Sequence, residues 1–165
     1  MNLPRIAQLL ENKNDMVIND VILSSAQKKS QVIYGARAYN IQSPDHLKKK
    51  TTDYDILTCN PKKAAQETAE KLRQRLGKKV EVVKGSHKGT YRVKLDNEVV
   101  VDYTQLKRKQ KTKNSWGIKV RTLKSIKRNA QRLVKNPKTE YRRTKDLDTL
   151  QRIQEIERID KAFSF

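Results

Sequence analysis

The chain has 165 residues, with 38 lysines and arginines against 18 aspartates and glutamates, a formal charge of +20 and 35% apolar residues. That apolar share is below the usual range but suffices for one small core, and no uncharged run approaches the ~20 residues of a membrane helix. One cysteine and two histidines exclude an internal disulfide and a Cys/His zinc site.

Residues 1–5 carry no apolar stretch of signal-peptide type, so a cytoplasmic protein is expected. Leu3, Ile6, Leu9 and Leu10, then Met16, Val17, Val21 and Ile22, recur at spacings near three and four, which predicts one or two short amphipathic helices. Val32-Ile33-Tyr34 reads as a buried strand stopped at Gly35, followed by a brief helix over 36–41 that Ser43-Pro44 closes. A second strand runs over 54–57. Asn60 as N-cap, Pro61 in the first turn and Gly77 as stop then frame a helix whose apolar face carries Ala64, Ala65, Ala69 and Leu72. Strands follow over 79–84, 90–95 and 98–102, with turns at 85–89 and 96–97. Residues 107–114 read as a basic loop and 118–123 as a strand or an extended lead-in. Two helices, over 124–135 and 144–162, are separated by Asn136-Pro137. Cys59, between a strand and a helix cap, reads as a small buried residue.

The expected fold class is α+β, a small mixed sheet flanked by helices in one domain. Its parts are N-terminal helices (1–30), an α/β core (31–106), a basic loop (107–117) and a basic helical part (118–165).

Charge of this size self-repels, and its common use is to hold a polyanion. It is unevenly spread: residues 107–145 hold sixteen basic residues and one acid, Glu140. Lys107, Arg108, Lys109, Lys111, Lys113, Lys127, Arg128, Arg142 and Arg143 are therefore candidate nucleic-acid contacts. Tyr91, Tyr103, Trp116 and Tyr141 lie among these and other basic residues, where they can stack bases or join the core. A membrane surface would ask for an amphipathic helix with bulky aromatics opposite the basic face, and Trp116 stands alone there, so no membrane partner is expected.

Three features converge on chemistry. Asp53 and Asp55 flank Tyr54 at the start of a predicted strand, and positions i and i+2 of a strand share a face. Two such carboxylates repel unless a cation sits between them, and oxygen ligands favour Mg²⁺ or Mn²⁺. Asp102, at the predicted end of an apolar strand, would add a third carboxylate to a two-metal site. Gly35 stands between a strand and a helix start, where a small residue lets backbone N–H groups approach phosphate. The plain alternatives are solvated strand-end acids and an ordinary glycine turn.

In this order, Ile33-Tyr34-Gly35-Ala36-Arg37-Ala38-Tyr39-Asn40, then Thr51-Thr52-Asp53-Tyr54-Asp55-Ile56, then a strand reaching Asp102, the sequence resembles the nucleotidyltransferase superfamily. That superfamily includes DNA polymerase beta, poly(A) polymerases and minimal toxin–antitoxin transferases. The first two motifs look especially like poly(A)-polymerase-like members of large DNA viruses, which would place the protein in a host cytoplasm, and like AbiEii-type toxins. The resemblance implies transfer of a nucleoside monophosphate from an NTP to a nucleic-acid end, RNA rather than DNA, with release of pyrophosphate. It implies Asp53, Asp55 and Asp102 as catalytic and metal-binding residues for Mg²⁺ or Mn²⁺. Gly35, Ala36 and Arg37 would meet the nucleotide, and Lys145, in a segment similar to the Arg-x-Lys-Asp opening of a late AbiEii helix, would contact phosphate. Family members usually carry Gly or Ser where this chain has Ala36, and 165 residues leave no room for the extra base and primer domains of larger members, so base choice and processivity are expected to be poor or supplied by a protein partner.

Two further readings stand beside this one. A catalytically inactive transferase fold would serve as a basic nucleic-acid-binding or assembly protein. A metal-dependent nuclease would want Glu-x-Lys, whereas Glu81 and Lys84 fall on opposite faces of a strand.

Overall fold

In a computed structural model, the backbone is described for residues 3–164 and the side chains for residues 13–164. Helix α1 (Leu3–Lys28) is one 26-residue helix, where the apolar spacing left open two short ones. Its interior has no proline after position 4 and no glycine to break it. Ile18, Val21 and Ile22 face the core, while Leu3, Ile6, Leu9 and Leu10 lie outside the residues whose side chains are described.

Strand β1 (Val32–Tyr34) leads directly into α2 (Gly35–Ile41), and a 3-10 turn (Asp45–Leu47) precedes β2 (Tyr54–Thr58). Helix α3 (Pro61–Leu76) begins and ends as its sequence predicts. Asn60 Oδ1 accepts from the Lys63 N–H at 3.2 Å, and Gly77 adopts the left-handed conformation with φ +61°. Strands β3 (Val80–Lys84), β4 (Thr90–Leu95) and β5 (Glu98–Gln105) form a meander. β5 runs three residues past the predicted end, so Asp102 sits inside the strand.

Thr112–Ser115, predicted as loop, is strand β6, and it hairpins onto β7 (Ile118–Arg121). β6 is an edge strand with no buried residue, so neither of its faces shows the apolar alternation that marks a strand. Helices α4 (Leu123–Val134) and α5 (Arg143–Phe163) close the chain, with a 3-10 turn over Pro137–Arg142 between them. Cys59 is exposed, against expectation, because it lies after β2 and outside the helix face that packs inward.

The seven strands form one mixed sheet in the order β3-β4-β5-β2-β1-β7-β6, with β1–β7 and β2–β5 parallel and the other pairs antiparallel. Ile33, Ile56, Tyr103 and Val120 share the sheet face that packs with Ile22 of α1 and Ala65, Ala69 and Leu72 of α3. The alanines let α3 come close to the sheet, and each fully buried Ile or Leu adds roughly 1.5–3 kcal/mol of burial. The hydroxyl pair Thr68 Oγ1 and Tyr103 Oη, 2.6 Å apart, satisfies the buried polar atoms there. A second cluster of Tyr39, Ile153 and Ile156, joined by Leu47, Leu123 and Ile126, ties α2, α4 and α5 together. These α+β layers are those the sequence predicts.

Candidate functional site

Register pairing places one residue from each of four neighbouring strands in a row. Tyr34 of β1 is opposite Asp55 of β2, Asp55 is opposite Asp102 of β5, and Asp102 is opposite Arg92 of β4. Side chains alternate along each strand, so this row occupies the face opposite Ile33, Ile56 and Tyr103. Asp53, two residues before Asp55, joins that face.

The row depends on a β-bulge. From the Asp96-Asn97 turn the pairs are Leu95 with Glu98 and Lys94 with Val99, but Val93 pairs with Val101, leaving Val100 as the extra residue. Without it Arg92 would meet Val101. With it, Arg92 Nε and Nη2 donate to the two oxygens of Asp102 at 2.8 and 2.7 Å.

Asp55 has no such partner. Among the described residues, no side chain or backbone group donates to its carboxylate. Burial, then the charges of Asp53 and Asp102, raise its pKa from 3.8 to about 6. Thr51 Oγ1 donates to Asp53 Oδ1 at 3.3 Å. As the side chains stand, no three His, Cys, Asp or Glu residues among those described form a group able to hold a metal ion; Asp102 is turned onto Arg92.

Gly35 has φ +66°, and a Cβ built there would overlap Asp55 Oδ2 and lie 3.1 Å from Asp55 Cγ. Glycine is thus required both by its backbone conformation and by the carboxylate beside it. Its neighbour Ala36, Asp53, Asp55, Asp102 and Arg92 line a cavity of about 740 Å³. The same cavity is also lined by five cations, Lys49, Arg121, Arg142, Lys145 and Arg152.

These cations are individually positioned. Asp146, nearly fully buried at the start of α5, accepts from Arg142 Nε and Nη2, both at 2.9 Å, and so aims Arg142. Asp148 accepts from Arg152 Nε at 2.9 Å, and Arg152 Nη1 also donates to the Leu47 carbonyl at 3.1 Å. Lys49 Nζ reaches Thr149 Oγ1 and lies 3.9 Å from Asp148 Oδ2, with burial pulling the ammonium pKa down. The Arg121 guanidinium lies 5.2 Å from the Tyr34 ring centre, and the Tyr34 hydroxyl hydrogen-bonds Thr104 Oγ1 at 3.1 Å.

The expected site residues therefore divide. Gly35, Ala36, Asp53, Asp55, Asp102 and Lys145 share the cavity. Arg37 does not line it: Arg37 Nε donates to the Asp53 carbonyl at 3.2 Å and its guanidinium stacks 4.4 Å from the Tyr54 ring centre, bracing the strand start instead. Lys107, Arg108, Lys109, Lys111, Lys113 and Arg128 are exposed and form no ion pair among the described residues. Lys127 is engaged by Glu157 at 2.8 Å, Arg143 by Glu140 at 3.3 Å and Arg142 by Asp146. Arg92, Lys49, Arg121 and Tyr34 escaped sequence reasoning, because register and tertiary packing, not local spacing, bring them here. Glu81 is on the edge strand β3 and pairs with Lys79 at 3.1 Å, three strands from Asp55.

The model of the poly(A) polymerase catalytic subunit family matches residues 20–134, and the chain belongs to that family. Among solved structures, the polyadenylate synthase of Megavirus superposes with a TM-score of 0.73 at 19% identity, over 86% of this chain and 31% of that one, which establishes a shared fold. The chain thus spans about a third of that protein's length. An antigenic nucleotidyltransferase-like protein from Paracoccidioides brasiliensis aligns over 85% of this chain and 76% of its own at 15% identity, with a TM-score of 0.48. No curated protein matches the chain.

Proposed function

We propose that this member of the poly(A) polymerase catalytic family transfers a nucleoside monophosphate, adenylate first among the candidates, from an NTP to the terminal hydroxyl of an RNA. The observation that carries the reading is the Tyr34–Asp55–Asp102–Arg92 row beside Gly35, in a cavity that Lys49, Arg142 and Lys145 also line. Acids and cations lining one cavity suit a triphosphate that arrives with a divalent ion.

The donor set fits such an ion. Asp53 and Asp55 present carboxylate oxygens on one face, and Asp55 carries a raised pKa and accepts no hydrogen bond among the described residues, so its oxygens are open to a cation. Asp53 and Asp55 would hold Mg²⁺ or Mn²⁺, with Asp102 joining when it leaves Arg92. Bound there, the ion supplies Lewis-acid polarisation of phosphoryl oxygens and lowers the pKa of a bound hydroxyl.

The chain's own residues do the rest. Backbone amides after Gly35 and the side chains of Lys49, Arg142 and Lys145 bind the triphosphate and offset its charge. The acceptor oxygen attacks the α-phosphorus, the bond from that phosphorus to the bridging oxygen of the β-phosphate breaks, and pyrophosphate leaves. The hydroxyl proton passes to the Asp102 carboxylate once it has left Arg92. The exposed cations Lys107, Arg108, Lys109, Lys111 and Lys113 hold the acceptor backbone.

A second reading, a catalytically silent RNA-binding relative, is favoured by one observation: both oxygens of Asp102 are occupied by Arg92. Melting curves separate the two. Under the first reading, ATP with Mg²⁺ raises the midpoint well beyond ATP with a chelator, and Asp53→Asn loses that increment. Under the second, the two curves coincide.

A further inference from the structure

The β6–β7 hairpin turns on Trp116-Gly117, with φ of +55° and +77°. A two-residue turn with both residues left-handed ordinarily takes Asn, Asp or Gly, and the chain's other such turn, Asp96-Asn97 at +49° and +71°, follows that rule. Trp116 breaks it. A bulky residue at positive φ is strained, and such outliers persist where something else needs the side chain.

Nothing within the described protein repays that strain. Trp116 is 94% exposed, the most exposed of the large apolar side chains described. The turn beneath it is nonetheless fixed: the Gly117 N–H donates to Asn114 Oδ1 at 2.9 Å, and a Cβ on Gly117 would come within 2.7 Å of Gln27 Nε2 at the end of α1. The indole is held out on a braced support.

Its surroundings indicate the chemistry of a partner. No acidic residue occurs between Asp102 and Glu140. Lys111, Lys113 and Lys119 on or beside the hairpin are exposed and form no ion pair among the described residues. The same hairpin reaches the cavity at its other end, where Thr112 pairs with Arg121, a lining residue. At ~3.3 Å per residue, a four-residue strand and its turn span about 10–15 Å, the length of roughly three to four stacked nucleotides.

We propose that Trp116 is a base-stacking platform for single-stranded RNA, which runs along the basic β6 edge with its reactive end in the cavity. This rests on the reading of the cavity as a transfer site for its direction, but not for its test. Indole stacking on a base is tolerant of base identity, so the platform confers grip on the upstream strand without sequence choice.

Trp116 is the only tryptophan of the chain, so its fluorescence reports this position alone. The experiment titrates the protein, without NTP, with a dodecamer of adenylate and with a dodecamer of abasic ribose phosphate, and repeats the first titration on Trp116→Asn by anisotropy. Expected are strong quenching by the adenylate strand, none by the abasic strand despite its equal charge, and about tenfold weaker binding by Trp116→Asn. Asparagine suits the turn, so this variant should melt no lower than the parent, which separates lost stacking from lost folding. Unaltered emission, equal quenching by both strands, or unchanged affinity of the variant would overturn the proposal. So would a blue shift on anionic vesicles or on raising protein concentration, seen without any shift on RNA, which would assign the indole to a membrane or to a second copy. Quenching with no transfer activity would leave this platform standing and remove the catalytic reading; transfer without quenching would do the reverse.

Discussion

Asp55 and Asp102 are direct register partners on parallel strands, yet only Asp102 has a guanidinium against it. Asp55 is left buried without a donor, and the charges of Asp53 and Asp102 add to the cost of that burial. Its carboxyl is raised to about 6, so the folded protein favours the protonated form. The stabilisation from that proton is complete below pH ~4 and is lost as pH rises through about 6.

Asp55→Asn should therefore raise the stability of the cation-free protein by about 2 kcal/mol at pH 8 and change it little at pH 4. Denaturant melts at the two pH values measure this. Equal effects at both would mean that burial and the neighbouring carboxylates do not raise the Asp55 carboxyl. The same variant should abolish transfer, trading function for stability.

Gly35 and Gly77 both have φ above +60°, but only Gly35 faces an obstacle. Gly77→Ala should cost about 1 kcal/mol, the backbone term alone. Gly35→Ala should cost more, about 2–3 kcal/mol, because the new methyl must displace the Asp55 carboxylate. It should also eliminate transfer, whereas Gly77→Ala should retain it. Matching losses of stability would show that the approach of Gly35 to Asp55 is looser than described.

Asp146 is buried and aims Arg142 through two hydrogen bonds. Asp146 is the buried member while Arg142 is about a third exposed, so Asp146→Ala should destabilise by about 1–2 kcal/mol, the loss of a charge-assisted hydrogen-bonded pair. Asp146→Asn should cost less in stability yet still weaken NTP binding severalfold, since the amide cannot hold a guanidinium with both oxygens. Calorimetric NTP affinity that matches the parent would remove Arg142 from the triphosphate site.

RNA affinity should fall steeply with salt. Changing Lys107, Arg108, Lys109 and Lys111 together to Gln should reduce the slope of log affinity against log salt by about 3, at ~0.7 for each single-strand phosphate contact. An unchanged slope would mean that the acceptor avoids this loop.

The carboxylate face was legible because an Asp-x-Asp at a strand start needs only period-two geometry to put Asp53 and Asp55 together. Asn60, Pro61 and Gly77 bounded α3 for equally local reasons. Arg92 was not legible: its place opposite Asp102 requires the bulge at Val100, and a one-residue slip would put it against Val101. Strand β6 was hidden because an edge strand of Thr, Lys, Asn and Ser buries neither face. Arg37, which the resemblance places at the nucleotide, is instead taken by the Tyr54 ring and the Asp53 carbonyl, a tertiary contact that no local motif displays.

The most direct measurement incubates the protein with α-labelled ATP, Mg²⁺ and a short RNA, and follows RNA length and pyrophosphate together. The expected result is lengthening of the RNA with one pyrophosphate released per adenylate added, absent in Asp55→Asn although that variant is folded and binds RNA normally. RNA of unchanged length with the parent protein, or lengthening that survives in Asp55→Asn, would contradict transfer at this site.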